Sequence, residues 1–203
     1  MTKSGLVCIG IDVGSVSAKT VVLDGDGNIL EDKYTRTKGE PLETALSLLT
    51  DIVDRYGADS IKLVAATGSG GKIIAPFIGA AFVNEVIAQA KAIEVLHPEV
   101  KTVIEMGGQD AKLILLAKEG DRIRIEDFQM NSVCAAGTGS FLDQQAYRLE
   151  LTIEEFGELA LKSEDPPRVA GRCSVFAKSD MIHLQQSATP DYDIVAGLCY
   201  AVA

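Results

Sequence analysis

The chain has 203 residues, of which 47% are hydrophobic and 24% charged, proportions typical of a folded globular protein and not of a disordered one. Its 29 acidic and 19 basic residues give a net charge of −10, which argues against a nucleic-acid partner, because that binding depends on clustered lysine and arginine. No run of about 18 uncharged apolar residues occurs, and the first residues are too polar for a signal peptide. We therefore expect a cytoplasmic protein without a membrane span.

The predicted elements alternate between strands and helices, which indicates the α/β class. The first half predicts strands at Leu6–Asp12, Lys19–Leu23 and Ile29–Thr35, a helix from Pro41 to Tyr56, a strand at Ile61–Ala66, a turn at Thr67–Gly71 and a helix from Asn84 to Leu96. The second half predicts strands at Thr102–Met106, Ala111–Ala117 and Arg122–Phe128, then helices at Thr138–Leu149, Ile153–Lys162, Ser179–Gln186 and Asp191–Ala203.

One segment occurs twice. The residues Ile9–Leu23, IGIDVGSVSAKTVVL, align with Thr102–Leu116, TVIEMGGQDAKLILL. Each copy is an apolar run that ends in a carboxylate, a turn of small residues and a second apolar run, which predicts a β-hairpin with backbone N–H groups at its tip. The repeat predicts two related subdomains, residues 1–100 and 101–203, that grip one polyphosphate from both sides. Set against its first copy, the second copy lacks a further strand and helix, so we expect the 203 residues to be part of a longer chain.

The two hairpins match the chemical needs of ATP with Mg²⁺. Small-residue turns let backbone N–H groups approach the phosphates closely, and a nearby carboxylate binds the hydrated metal through water. Asp12 takes the carboxylate position in the first hairpin, and Lys19 either adds a positive charge or faces solvent. In the second hairpin, Gln109 or Asp110 would orient the attacking water. The turn residues expected to contact the nucleotide are Gly14, Ser15, Ser17, Gly107 and Gly108. The alternative is a pair of ordinary glycine turns in a duplicated β-meander.

Two cysteines lie in small-residue loops that lead into helices. Cys134 precedes the turn Gly137-Thr138-Gly139, which resembles a phosphate-binding turn and could serve a nucleotide, a metal centre or both. Cys173 lies in GRCSVFAKSD, ahead of the helix expected at Ser179. Two thiols are too few for a closed zinc or iron–sulfur site, but a symmetric dimer would supply four and could hold a [4Fe–4S] cluster on its twofold axis. A catalytic thiol and two unconnected loop cysteines are the alternatives.

These motifs resemble the activator ATPases of 2-hydroxyacyl-CoA dehydratases and benzoyl-CoA reductases. That family belongs to the superfamily of acetate kinases, sugar kinases, heat-shock chaperones and actin. The resemblance covers nearly the whole chain, and its specific parts are NSVCAAGTGSFLDQQA and GRCSVFAKSDMIHLQQ. It implies two ribonuclease H-like, actin-like ATPase subdomains, the second of them incomplete.

The resemblance also implies the cofactors and partners. It suggests a homodimer in which Cys134 and Cys173 of both subunits hold one [4Fe–4S] cluster, and in which bound ATP or ADP changes the angle between the adjoining helices. The activator would pass one electron to a dehydratase or reductase partner and receive one from ferredoxin or flavodoxin. Glu105 stands where relatives usually carry Asp. Because the family's adenosine-binding glycine motif would lie beyond residue 203, we expect a fragment with these bounds to bind nucleotide weakly.

Two other functions fit parts of the pattern. A small-metabolite kinase of the same superfamily would use the hairpins but would have no role for Cys134 and Cys173. A nucleotide-binding regulatory module of a larger protein would retain the hairpins without hydrolysis or cluster. The iron content of the purified protein distinguishes both alternatives from the activator, because only the activator would hold a cluster.

Overall fold

The computed structural model describes residues 5–120, 122–131, 137–171 and 173–203. They fall into two compact units. The first comprises the residues up to Val100 together with Leu116–Arg124, and the second comprises Lys101–Leu115 together with the residues from Ile125 onward. None of the helices in these ranges is long and apolar enough to span a membrane.

The first unit contains a mixed five-stranded sheet with helices. Strands β1 and β2 form an antiparallel hairpin, β3 continues the meander beside β2, and β4 runs parallel to β1 on its other side, giving the order β3-β2-β1-β4-β5. The elements in chain order are β1 (Val7–Val13), β2 (Ser17–Leu23), β3 (Ile29–Arg36), α1 (Pro41–Tyr56), β4 (Ile61–Thr67), α2 (Gly68–Ile74), β5 (Ala81–Phe82) and α3 (Glu85–Leu96).

Helix α1 anchors the sheet of this unit. Its buried side chains recur every three or four residues, so they form one stripe that packs on the apolar face of β1 and β2. Proline fits the first turn, where its missing N–H costs no helical hydrogen bond, and Gly57 ends the helix with a φ of +80°. The predicted bounds, Pro41 to Tyr56, are confirmed.

The second half of the chain begins with a three-stranded sheet of order β6-β7-β8, in which β6 and β7 are antiparallel, and continues with four helices. Its elements are β6 (Thr102–Met106), β7 (Ala111–Glu119), β8 (Arg122–Asn131), α4 (Gly139–Arg148), α5 (Ile153–Ala160), α6 (Ser174–Gln186) and α7 (Asp191–Val202). The helices share one core, built around the buried side chains Phe141, Phe156, Met181, Ile194 and Leu198. At the start of α5, the Thr152 N–H donates to the Glu155 carboxylate, and this hydrogen bond holds the pKa of Glu155 below its usual value.

The structure corrects the sequence interpretation at three places. The sequence predicts a turn at Thr67–Gly71, but in the structure Thr67 is the N-cap residue of α2, which begins at Gly68. The strand β5 was not predicted, because two residues are too few to show a strand pattern. Helix α6 begins at Ser174 and not at Ser179, so Cys173 is its N-cap residue. The other helices and strands lie within three residues of their expected ends.

Candidate functional site

The first repeated hairpin places a carboxylate and an ammonium opposite each other. Asp12 and Lys19 are cross-strand partners in the β1–β2 pairing, and the Nζ of Lys19 lies 2.7 Å from Oδ2 of Asp12. The side chain of Lys19 is 46% exposed and that of Asp12 is 25% exposed. Both charges therefore remain accessible to a ligand at the end of the hairpin.

The turn between these strands is held from behind by Thr37, a residue that the sequence interpretation missed. Its N–H donates to the carbonyl of Val16 and its hydroxyl donates to the carbonyl of Ser15, at 2.9 and 2.8 Å. The Gly14 N–H donates to the carbonyl of Ser17 at 2.9 Å. Gly14 thus shapes the turn, while Ser15 lies exposed at its tip and the side chain of Ser17 is buried.

A third glycine-rich segment lies against this hairpin. Thr67 pairs with Asp12 in the parallel β1–β4 register, and Gly68 follows it with a φ of +82°. A Cβ on Gly68 would lie 2.5 Å from Oδ1 of Asp12 and 2.6 Å from the carbonyl oxygen of Val13. Only glycine allows the backbone to pass this close to the carboxylate.

The second hairpin repeats the pairing with one more acid. Glu105 and Lys112 are cross-strand partners in the β6–β7 pairing, as Asp12 and Lys19 are in the first copy. The Nζ of Lys112 lies 2.8 Å from Oε2 of Glu105 and 2.9 Å from Oδ1 of Asp110. Gly107 donates its N–H to the carbonyl of Asp110, and Gln109 is exposed at the tip. The predicted second site is therefore a buried lysine with two carboxylates under a glycine turn.

The turn of the second hairpin is bonded directly to the start of α4. The Gly139 N–H donates to the carbonyl of Gly107 at 2.9 Å, and the Ser140 N–H donates to that of Gly108 at 3.0 Å. Thr138, the N-cap residue of α4, is fully buried, and Gly137 has a φ of +81°. The structure thus brings together two groups of predicted residues, the hairpin turn and the Gly137–Gly139 turn.

Of the two loop cysteines, Cys173 belongs to the described part of the chain and Cys134 lies outside it. Cys173 is half-buried and is the N-cap residue of α6. It lines a small cleft together with Gly137, Phe141 and Gly171. The turn that follows the Cys134 loop is therefore next to Cys173. No group of three or more His, Cys, Asp or Glu side chains suited to a metal occurs among the described residues.

The other two cysteines lie inside regular elements of the fold. Cys8 lies within β1 and Cys199 within α7, and both are free thiols, as is Cys173. Burial raises the pKa of the Cys199 thiol, so this side chain behaves as a small apolar group.

The comparison with known proteins covers almost the whole chain. A family model described as the BadF/BadG/BcrA/BcrD ATPase family matches residues 9–203. The 2-hydroxyisocaproyl-CoA dehydratase activator of Clostridioides difficile is 33% identical over 198 residues, which cover 96% of this chain and 72% of that protein. The residues matched by the family model include the positions of both hairpins and of Cys134 and Cys173.

Two solved structures share the fold. The Acidaminococcus fermentans (R)-2-hydroxyglutaryl-CoA dehydratase component A superposes with a TM-score of 0.87 at 30% identity, covering 98% of this chain and 75% of that one. The activator of the 2-hydroxyisocaproyl-CoA dehydratase from Clostridium difficile, with bound ADPNP, gives a TM-score of 0.86 at 30% identity, covering 97% and 72%. These matches confirm the predicted α/β, actin-like ATPase class.

Replacing Gly68 by alanine tests the contact between α2 and the first hairpin. The new Cβ would collide with the Asp12 carboxylate and the Val13 carbonyl, at a φ that alanine rarely adopts. We expect the free energy of unfolding to fall by about 1–3 kcal/mol, measured by urea titration.

The matched control is Gly25→Ala, because a Cβ at Gly25 would meet nothing within 4 Å and Gly25 is not among the glycines with positive φ. Its effect should stay within about 0.5 kcal/mol. Equal stability of the Gly68→Ala protein and the control would show that the close approach does not constrain the hairpin.

Proposed function

The chain belongs to the BadF/BadG/BcrA/BcrD ATPase family, and from this premise we propose that it hydrolyses ATP to activate a dehydratase or reductase that acts on CoA esters. The proposed partner is an enzyme of the 2-hydroxyacyl-CoA dehydratase or benzoyl-CoA reductase type, and the proposed location is the cytoplasm. The observation that carries the proposal is the duplicated hairpin, in which a carboxylate faces a lysine beside a turn of small residues.

The first hairpin has the chemistry to bind a nucleotide phosphate and its metal. Asp12 would hold Mg²⁺ through water, because this ion gives up its hydration reluctantly. The ammonium of Lys19 is exposed enough to exchange its contact with Asp12 for one with a phosphate oxygen. Ser15 and Ser17 would place N–H and hydroxyl groups beside the phosphates, on a turn that Gly14 shapes and Thr37 fixes.

The second hairpin would contribute Gly107, Gly108 and Gln109 as further phosphate contacts, with Gln109 or Asp110 orienting the attacking water. Glu105 would stand in the place of the aspartate usual in relatives. The Gly137–Gly139 turn is included in this proposal, because its backbone is bonded to that of Gly107 and Gly108. A phosphate that displaces the hairpin turn would therefore also displace the start of α4.

The cysteines fit an iron–sulfur cluster shared between two copies of the chain. A [4Fe–4S] cluster takes four thiolates, and each chain would supply Cys134 and Cys173. Cys173 is half-buried at the N-terminus of α6 and shares a small cleft with Gly137, which follows Cys134 by three residues in the sequence. A cluster held there would supply one-electron chemistry. A homodimer and a ferredoxin or flavodoxin donor complete the proposal.

Replacing Asp12 by asparagine tests the nucleotide site. The change keeps the shape of the side chain but removes the charge that would hold Mg²⁺. We expect ATP turnover to fall by about 100- to 1000-fold, the range typical for loss of one electrostatic contact to the transition state.

Asp51→Asn is the matched control, since Asp51 also pairs with a strand lysine, Lys33, at 3.1 Å but is a 46% exposed residue of α1 and not of a hairpin. This variant should hydrolyse ATP at the normal rate. Unchanged turnover in the Asp12→Asn protein would contradict the role assigned to Asp12.

Single cysteine variants test the cluster. After anaerobic reconstitution, the unchanged protein should contain about four irons per dimer, because that number fills one cluster. Cys134→Ala and Cys173→Ala should each lose most of this iron, since either change removes two of four ligands from the dimer.

Cys8→Ala and Cys199→Ala serve as controls and should retain their iron and sulfide, both measured chemically. A colourless unchanged protein with intact ATP hydrolysis would reject the cluster and leave the nucleotide site standing.

A further inference from the structure

Lys112 is unusual among the charged side chains of this protein. Within residues 5–120, 122–131, 137–171 and 173–203, it is the one lysine, arginine, aspartate or glutamate that is buried, with 5% of its side chain exposed. A buried charge has lost its hydration, so it is retained only where nearby groups of opposite charge compensate it. Buried charged side chains with specific charged partners are more frequent at functional sites than elsewhere in proteins.

The surroundings of Lys112 show what its charge does. Its ammonium lies between the carboxylates of Glu105 and Asp110, at 2.8 and 2.9 Å. Both carboxylates also lie against the backbone of the turn. A Cβ on Gly107 would be 2.6 Å from Oδ1 of Asp110 and 3.3 Å from Oε1 of Glu105. The lysine thus holds two acids together directly under the glycine turn.

The first hairpin provides an internal comparison. Its lysine, Lys19, occupies the same cross-strand position but is 46% exposed and pairs with Asp12. The position that corresponds to Asp110 is occupied by Ser17, which carries no charge. The second copy therefore differs from the first by an added carboxylate and by the burial of the ammonium. A hairpin that only had to turn the chain would need neither change.

We propose that Lys112 is a positioning residue for ATP hydrolysis, which fixes the carboxylates of Glu105 and Asp110 beneath the turn of the second hairpin. This inference rests on the proposed function, because it assumes that the second hairpin contacts the nucleotide. Without the ammonium, the two carboxylates repel each other and the acid placed to orient the attacking water moves. The rate of the chemical step then falls, whereas ATP binding through the first hairpin changes little.

The test is Lys112→Ala in the intact protein, assayed with and without propylammonium, which replaces the part of the side chain that alanine lacks. We expect kcat per nucleotide-binding site to fall by about 100-fold, the loss typical of a misplacement near 1 Å, with the KM for ATP changed by less than about threefold. Propylammonium should restore kcat at least about fivefold and in a saturable manner, because the cation again screens the two acids. Lys33→Ala, which removes a half-exposed lysine, should show neither the loss nor the rescue.

Lys112→Arg gives a second readout that does not depend on an added amine filling the space left by alanine. It keeps the positive charge, but a planar guanidinium on a longer side chain cannot take the place of a 5% exposed ammonium that lies within 2.9 Å of two carboxylates. We expect kcat to fall at least about tenfold with the KM for ATP retained. This variant decides the question if Lys112→Ala does not fold.

Three results would overturn the inference: normal kcat in both Lys112 variants, loss of kcat in Lys112→Ala that propylammonium does not relieve, or a rise in KM that accounts for the whole loss. If the proposed function itself is wrong, ATP hydrolysis will be unchanged in Asp12→Asn as well as in the Lys112 variants. Loss of hydrolysis in Asp12→Asn with normal Lys112 variants would reject only the present inference.

Discussion

A carboxylate paired with a lysine across two antiparallel strands is the interaction on which both proposed nucleotide contacts depend. It occurs once in each unit, as Asp12 with Lys19 and as Glu105 with Lys112, at the point where each hairpin turns. The pairing fixes the register in which small residues reach the turn, because a shift of one residue would move both charges to the other face of the sheet. The charged side chains and the backbone N–H groups of the turn therefore lie at the same end of each hairpin.

Glycine backbones connect these hairpins to their surroundings. Gly68 lets the start of α2 pass beside the Asp12 carboxylate, and Gly139 bonds the start of α4 to the carbonyl of Gly107. The contact at Gly139 matters for the proposed activator, because α4 follows Cys134 in the sequence. The Gly137–Gly139 turn at the start of α4 also borders the cleft that Cys173 lines. A change at the hairpin turn is therefore passed by two backbone hydrogen bonds to the start of α4, whose preceding turn borders the cleft lined by Cys173. A rigid link of this kind can couple two states.

The sequence predicts much of this arrangement, because the signals involved are local. Proline at the start of α1 and glycine at its end define that helix, and the repeat identifies the strands of both hairpins. Prediction from the sequence fails where contacts between distant residues determine the local structure. The glycines of Thr67–Gly71 predict a turn, because glycine disfavours helices, yet Gly68–Gly71 form the first turn of α2, where Gly70 packs closely on Val13. The burial of Lys112 and the two hydrogen bonds from Thr37 leave no mark in the sequence, since both depend on neighbours brought together by folding.

The most direct test of the account is hydrogen–deuterium exchange of the intact protein with and without Mg²⁺ and a non-hydrolysable ATP analogue. If both hairpins bind the nucleotide, amide exchange should slow in the peptides that contain residues 12–19 and 105–112. The surface turn at residues 24–28, closed by its own hydrogen bonds to Asp24, should exchange at the same rate in both conditions. Unchanged exchange in the two hairpins at a saturating concentration of bound nucleotide would contradict the account.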